Sequence, residues 1–331
     1  MKLTRREAIK LAQLIYGKQD ERVKEIEQAY KQLQTDTIDT INSYISDGKN
    51  WNTKAPIDDI RQLLIDVKSL YDDLDDDGQN LVRMAFEDNK LRSNGDLLIA
   101  KLTANIVAVS IFQQRHLIAS TGDISKVVKS HSFKDAKNLI DRMPDFKGGR
   151  RLNHLSGDID VIMQKMARNA VLDRHIDINI VDSINKQTLD VIRKVRSIAE
   201  IAAKSPKDSL NWKHDVANVL TGGNKSTDGQ MGRAAGMIRT ATAQSLNRSM
   251  LEDYQKRGVK RYKFMSLEAV TTCQQCNNLD GRIFKVKDAK EGVNYPLIHI
   301  NCQCFTCEVN ESDDWDTSNH DITDKFKELT T

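Results

Sequence analysis

Five cysteines and a histidine share the short stretch from residue 273 to residue 307, and the 272 residues before it contain no cysteine. The order is Cys273-Gln-Gln-Cys276, then just over twenty residues, then His299-Ile-Asn-Cys302-Gln-Cys304-Phe-Thr-Cys307. A two-residue gap lets both ends of a tight turn point at one ion. C-x-x-C followed by H-x-x-C-x-C therefore offers soft thiolates and an imidazole at the spacing of a closed tetrahedral zinc site. Cys273 and Cys276 are the expected first pair, with two further ligands drawn from His299, Cys302 and Cys304; Cys307 is the thiol to spare. Disulfides fit poorly, because five is odd and Met1-Lys-Leu-Thr-Arg-Arg-Glu-Ala runs into a charged helical pattern rather than a leader. The donors exceed the four a closed site needs and no H-E-x-x-H occurs, so the expected metal is a structural Zn2+ without catalysis.

The elements that must hold this cluster read as helices. Charged residues make up 29% of the chain, aromatics 5%, and there are only four prolines, which favours a helical soluble protein over a β-rich one. Helical patterns are expected over 4–18 (with Thr4 as N-cap), 20–45, 57–74, 79–91, 96–120, 124–143, 157–172, 178–203 and 206–220. The apolar run 97–112 is interrupted by Lys101 and Asn105 and is short for a membrane span, so it is expected to be a buried core helix. From 231 to 258, Met231, Ala235, Ile238, Thr242, Leu246, Met250 and Tyr254 step by three or four, and Gly258 supplies a C-terminal stop. Residues 260–267 then read as a strand, Leu279-Asp280-Gly281 as a turn, and 282–286 as a returning strand. So small a β-unit has little core of its own and needs a metal. Serine at both 273 and 276 should then unfold the C-terminal unit and leave the N-terminal helices intact. The fold class expected is mainly α, a multi-helix N-terminal region followed by a long helix and a small zinc-stapled β-hairpin module. The divisions fall at 1–144, 145–224, 225–309 and an acidic flexible tail, 310–331.

The motif order on that last unit carries a resemblance. Arg239-Thr-Ala-Thr-Ala, then Asn247-Arg248, Gly258-Val-Lys-Arg-Tyr-Lys-Phe264, Thr272-Cys273-x-x-Cys276, Leu279-Asp-Gly-Arg-Ile-Phe284 and Tyr295-Pro-Leu-Ile-His-Ile-Asn-Cys-Gln-Cys304 resemble the Mu F-like head-morphogenesis proteins of tailed phages. Ala241 stands where that family commonly has an acidic residue, and Ile300 and Gln303 replace the proline and arginine of its closing H-P-N-C-R-C box. The resemblance covers 231–309. It implies a minor capsid protein of the virion, inside the phage head and in the host cytoplasm during assembly. Its implied partners are the portal protein and capsid or scaffolding protein, with a part in DNA packaging or ejection and no membrane span. An oligomer is compatible with this reading.

Net charge is uneven along the chain. Residues 145–263 hold 22 Lys/Arg against 13 Asp/Glu, and residues 308–331 hold eight carboxylates against two lysines. A basic middle fits double-stranded DNA as a further partner, bound through its phosphates without base reading. The candidate contacts are Lys147, Arg150, Arg151, Lys256, Arg257, Lys260, Arg261 and Lys263. The competing readings are a zinc-containing nucleic-acid-binding protein or a nuclease-like module. A nuclease of that kind needs a second histidine near the hairpin, and His299 is the only one from 260 to 309. No phosphate-binding G-x-x-x-x-G-K-[ST] loop and no G-x-S-x-G elbow occurs. The string Asp73-Leu-Asp75-Asp-Asp77-Gly78 opens like a calcium loop, but Met84 stands where the closing Glu belongs, and an acidic inter-helix turn is expected instead.

Overall fold

Thr4 accepts a hydrogen bond from the Glu7 backbone N–H while the Glu7 carboxylate reaches back to the Thr4 N–H. This reciprocal cap opens α1 (Arg5–Ser46), which is 42 residues long and therefore about 63 Å from end to end. The structure is a computed structural model and describes residues 2–72, 74–87, 90–143, 179–205, 211–223, 229–267 and 272–309. Two helices were expected where α1 runs unbroken. Gly17 has open space around it, and apolar residues continue on the buried side from Leu11 through Tyr16 to Val23 and Ile26, so packing carries the helix through the glycine.

The remaining helices are α2 (Ile57–Asp72), α3 (Asp76–Phe86), α4 (Asn94–Gly122), α5 (Ile124–Val128), α6 (Phe133–Asp141), α7 (Ile180–Lys204), α8 (Trp212–Leu220) and α9 (Gln230–Arg257). The single helix expected over 124–143 is two, because the Ser132 hydroxyl takes the Asp135 N–H and starts α6 afresh. Asp75 caps α3 by accepting the Gly78 N–H and pairs with Arg115 at 2.7 Å, so the calcium-like string serves as a helix start. The helix α4 is long and apolar enough to cross a membrane, but it packs against α1, α7 and α9 and is largely buried among them. The helix expected over 157–172 and the boundaries at 144/145 and 224/225 lie outside the described residues, as does 310–331.

Two cores sit one after the other along the antiparallel pair α1 and α9. The first joins the later part of α1 (Val23 to Tyr44), α4, α7, α8 and the first half of α9. The second joins Leu3 to Tyr16, α5, α6, the second half of α9 and a small sheet. That sheet has three antiparallel strands in the order β2-β1-β3, where the sequence had indicated a two-stranded hairpin. Strand β1 (Arg261–Met265) lies between β2 (Ile283–Lys285) and β3 (Phe305–Glu308), with Tyr262 opposite Phe284 on one side and Glu308 on the other.

Candidate metal centre

The C-x-x-C turn folds as a short helix, α10 (Gln274–Leu279), with Cys273 as its N-cap: the Cys273 sulfur accepts the Cys276 backbone N–H at 3.4 Å. This turns both sulfurs to one side. Across from them, Cys273 Sγ lies 3.1 Å and Cys276 Sγ 3.3 Å from His299 Nε2, and Cys276 Sγ lies 3.9 Å from Cys302 Sγ. Cys276, Cys302 and Cys304 form a second group whose sulfurs all fall within 4.8 Å of one another. Tetrahedral zinc, with Zn–S near 2.3 Å and Zn–N near 2.0–2.1 Å, sets its ligands about 3.6–3.8 Å apart. The observed spacings of 3.1, 3.3 and 3.9 Å lie on either side of that range, and Cys276 is common to both groups. Two Cys/His groups able to hold a metal are thus present, built from the five residues the sequence pointed to. Cys307 belongs to neither group and packs into the second core from β3.

His299 is oriented for ligation. Its Nδ1 lies 2.7 Å from the Ile300 carbonyl, an acceptor, so Nδ1 carries the proton and Nε2 presents its lone pair to the sulfurs. The thiols are not equivalent. The Cys276 N–H bound to its sulfur pulls Cys273 below the ordinary thiol range, and burial pushes Cys276 up to about 12. The hydrogen bond from Cys304 holds Cys302 down at about 5, and Cys304, which keeps the shared proton, is raised. Sulfurs crowded in this way resist ionising together unless a cation neutralises them, which is what a bound metal does.

Side chains from distant elements fix the loop that bears these ligands. Asn301, just before Cys302, has φ +65°, a left-handed conformation asparagine tolerates. Its N–H donates to Thr240 Oγ1 on α9, and its side chain lies over Gly236, where a Cβ would come 3.3 Å from Asn301 Oδ1. About two turns further along α9, buried Asn247 donates to the Cys304 carbonyl at 2.9 Å, and Tyr295 donates to the Asn247 carbonyl at 2.6 Å. Tyr16 on α1 donates to the same Cys304 carbonyl at 3.0 Å across 288 residues of sequence. Arg248 grips Glu291 through Nε and a terminal nitrogen, at 2.8 and 2.9 Å. Thr240, Asn247 and Arg248 all belong to the α9 motif string quoted above. Sequence reading treated that string as a family mark, and its work here is to seat the metal loop.

The same contacts revise one expectation. The sheet, α1, α5, α6 and α9 share a core, so loss of the cysteine cluster is expected to weaken the N-terminal helices as well as the C-terminal unit.

Of the phosphate-contact residues expected from sequence, Lys256 is exposed and pairs with Glu252 at 2.9 Å. Lys260 is exposed and Arg261 half-buried. Arg257 is engaged by Asp253 and Glu308, and Lys263 is buried within β1, so neither presents a bare cation to solvent. Lys147, Arg150 and Arg151 lie outside the described residues.

Taken together, the described residues form a mainly helical protein closed by a three-stranded sheet, with a Cys/His cluster able to coordinate a metal. Residues 184–307 match the family described as Phage Mu protein F like protein, and this part of the chain is similar to that family. The match begins in α7, 47 residues before the motif order readable from sequence, and so takes in most of α7, α8, α9 and the sheet as far as Cys307. No curated protein and no solved structure matches the chain.

Proposed function

We propose that this protein is a minor structural component of a tailed-phage head, acting in head morphogenesis near the portal by contact and not by catalysis. The observation that carries this reading is the coincidence of the Phage Mu protein F-like segment with a built Cys/His centre. In it, Cys273, Cys276, His299 and one or both of Cys302 and Cys304 hold a Zn2+ that locks the closing loop against α9 and α1. The metal supplies cross-linking of the fold. The chain's own residues do the rest: Asn247 and Tyr16 fix the loop carbonyl, and Thr240 fixes the turn before Cys302.

The partners are portal, capsid or scaffolding protein, met inside the head and in the host cytoplasm during assembly. Double-stranded DNA is a further partner, bound without base reading through exposed cations such as Lys256 and Lys260. Peptide mass spectrometry of purified DNA-filled heads after stringent washing tests the reading. Retention at a few copies per head is the expected result, and complete absence from mature heads would count against it.

A further inference from the structure

The outward face of α7 carries a charge pattern that the metal centre does not use. Its inward face is apolar, with Ile184, Val191, Val195, Ala199 and Ala202 buried. From Ser183 to Ser197 the helix holds four exposed cations, Lys186, Arg193, Lys194 and Arg196, against one carboxylate, Asp190. Asp190 is already engaged by Lys194 at 2.7 Å. That hydrogen bond holds its carboxyl below the usual range, and the charges of Arg193 and, on α9, exposed Arg233 add to the pull. Gln230 donates to Gln187 at 3.1 Å across the same junction, so the two helices meet in one positive patch. Arg233 stands within the first four residues of α9, where no carboxylate offsets the positive helix end.

Other surface cations are matched one turn back: Lys204 by Glu200, Lys256 by Glu252 and Arg257 by Asp253. Leu189 and Ile192 occupy the corresponding places before Arg193 and Arg196, so the patch keeps its excess charge. What it lacks decides what meets it. Among the described residues, α7 exposes no large apolar side chain between Ser183 and Ser197; Ile201 lies a turn beyond. A protein interface centres on apolar and aromatic anchors, whereas phosphates need only cations, and arginine forks suit them best. From Lys186 to Arg196 the helix runs about 15 Å, the length of about four phosphates of one strand.

We propose that the face formed by Lys186, Arg193 and Arg196 of α7, with Arg233 of α9, takes the phosphate backbone of duplex DNA. This rests on the DNA reading above and moves the main contact away from Lys256 and Lys260. Binding of a random-sequence duplex by the full chain, across about 50–200 mM salt, tests it. Arg193→Gln, Arg196→Gln and Arg233→Gln together remove three phosphate contacts, so the slope of log affinity against log salt should shrink by about 2.7. An unchanged slope in that variant overturns this face and leaves the DNA reading standing. No binding by the parent chain at about 50 mM salt overturns both.

Lysine acetylation of the unsubstituted chain, read by peptide mass spectrometry, checks the same face without altering it. Duplex should protect Lys186 and leave Lys126 on α5 as reactive as before. Equal reactivity of Lys186 with and without duplex overturns the proposal. Protection of Lys186 by polyglutamate but not by duplex overturns it too, and assigns the face to an acidic protein.

Discussion

The Cys304 carbonyl receives two buried donors, Tyr16 Oη at 3.0 Å and Asn247 Nδ2 at 2.9 Å, and their removal can be worked through one at a time. Tyr16→Phe keeps the ring in the second core and leaves the carbonyl its Asn247 donor, so the expected cost is one neutral hydrogen bond, about 1 kcal/mol. Asn247→Leu keeps comparable bulk, leaves the carbonyl its Tyr16 donor and also removes the bond to the Ala243 carbonyl, for about 1–2 kcal/mol. In the double variant the buried carbonyl has no side-chain donor left. The desolvation penalty of about 1–3 kcal/mol appears only there, so the double loss should exceed the sum of the single losses by about 1 kcal/mol or more. Urea unfolding followed by circular dichroism gives the three stabilities, and the rate of zinc transfer to a chromogenic chelator reports the loop. Additivity to within about 0.3 kcal/mol, with zinc release no faster in the double variant, would refute the claim that α1 helps seat the metal loop.

Further outcomes are expected. Cys273→Ser with Cys276→Ser should abolish stoichiometric zinc by elemental analysis and lower the melting temperature of the whole second core; a single unchanged transition with zinc retained would sink the metal assignment. Burial, and then the Arg22 charge, hold His116 down at about 3. Between the ordinary value of 6.5 and that point the unfolded chain binds a proton the folded one does not. Stability from this group is thus complete above pH 6.5 and falls as the pH drops, by up to about 1.4 kcal/mol per unit, and His116→Gln should flatten the slope of urea stability over that range. Gly95→Ala would place a Cβ 2.3 Å from the Trp51 ring, so a loss of about 1–3 kcal/mol is expected, relieved by Trp51→Leu; no loss by thermal denaturation would contradict the packing.

The Cys/His cluster was readable because residues able to hold a metal keep short fixed spacings along the chain. The helix α9 was readable because its apolar residues recur at three and four. Strand β3 was hidden, since Phe305-Thr-Cys-Glu308 follows at once on the ligand box and its pairing with β1 is set by tertiary contact. The continuity of α1 was hidden by Gly17, whose local cost is outweighed by burial on either side. Tyr16 and Thr240 carry no local signal for what they do, because their partners, Cys304 and Asn301, are 288 and 61 residues away. Ser132 could have been read as an N-cap three residues before Asp135, which would have separated α5 from α6.

The placement of α1 also sets an order of events during synthesis. Its first turns, Leu11, Ala12, Ile15 and Tyr16, leave the ribosome early, but the strand and loop that cover them end at residue 308. At roughly 5–20 residues per second, that apolar face waits about 15–60 s for its covering. The first core can close sooner, since its last contributor is the first half of α9. The nascent chain is therefore expected to pass through a stage with one half built and an amphipathic arm outside it, the Cys/His cluster being assembled last. Limited proteolysis of stalled nascent chains ending near residue 260 would cut within residues 5–20 and spare α4.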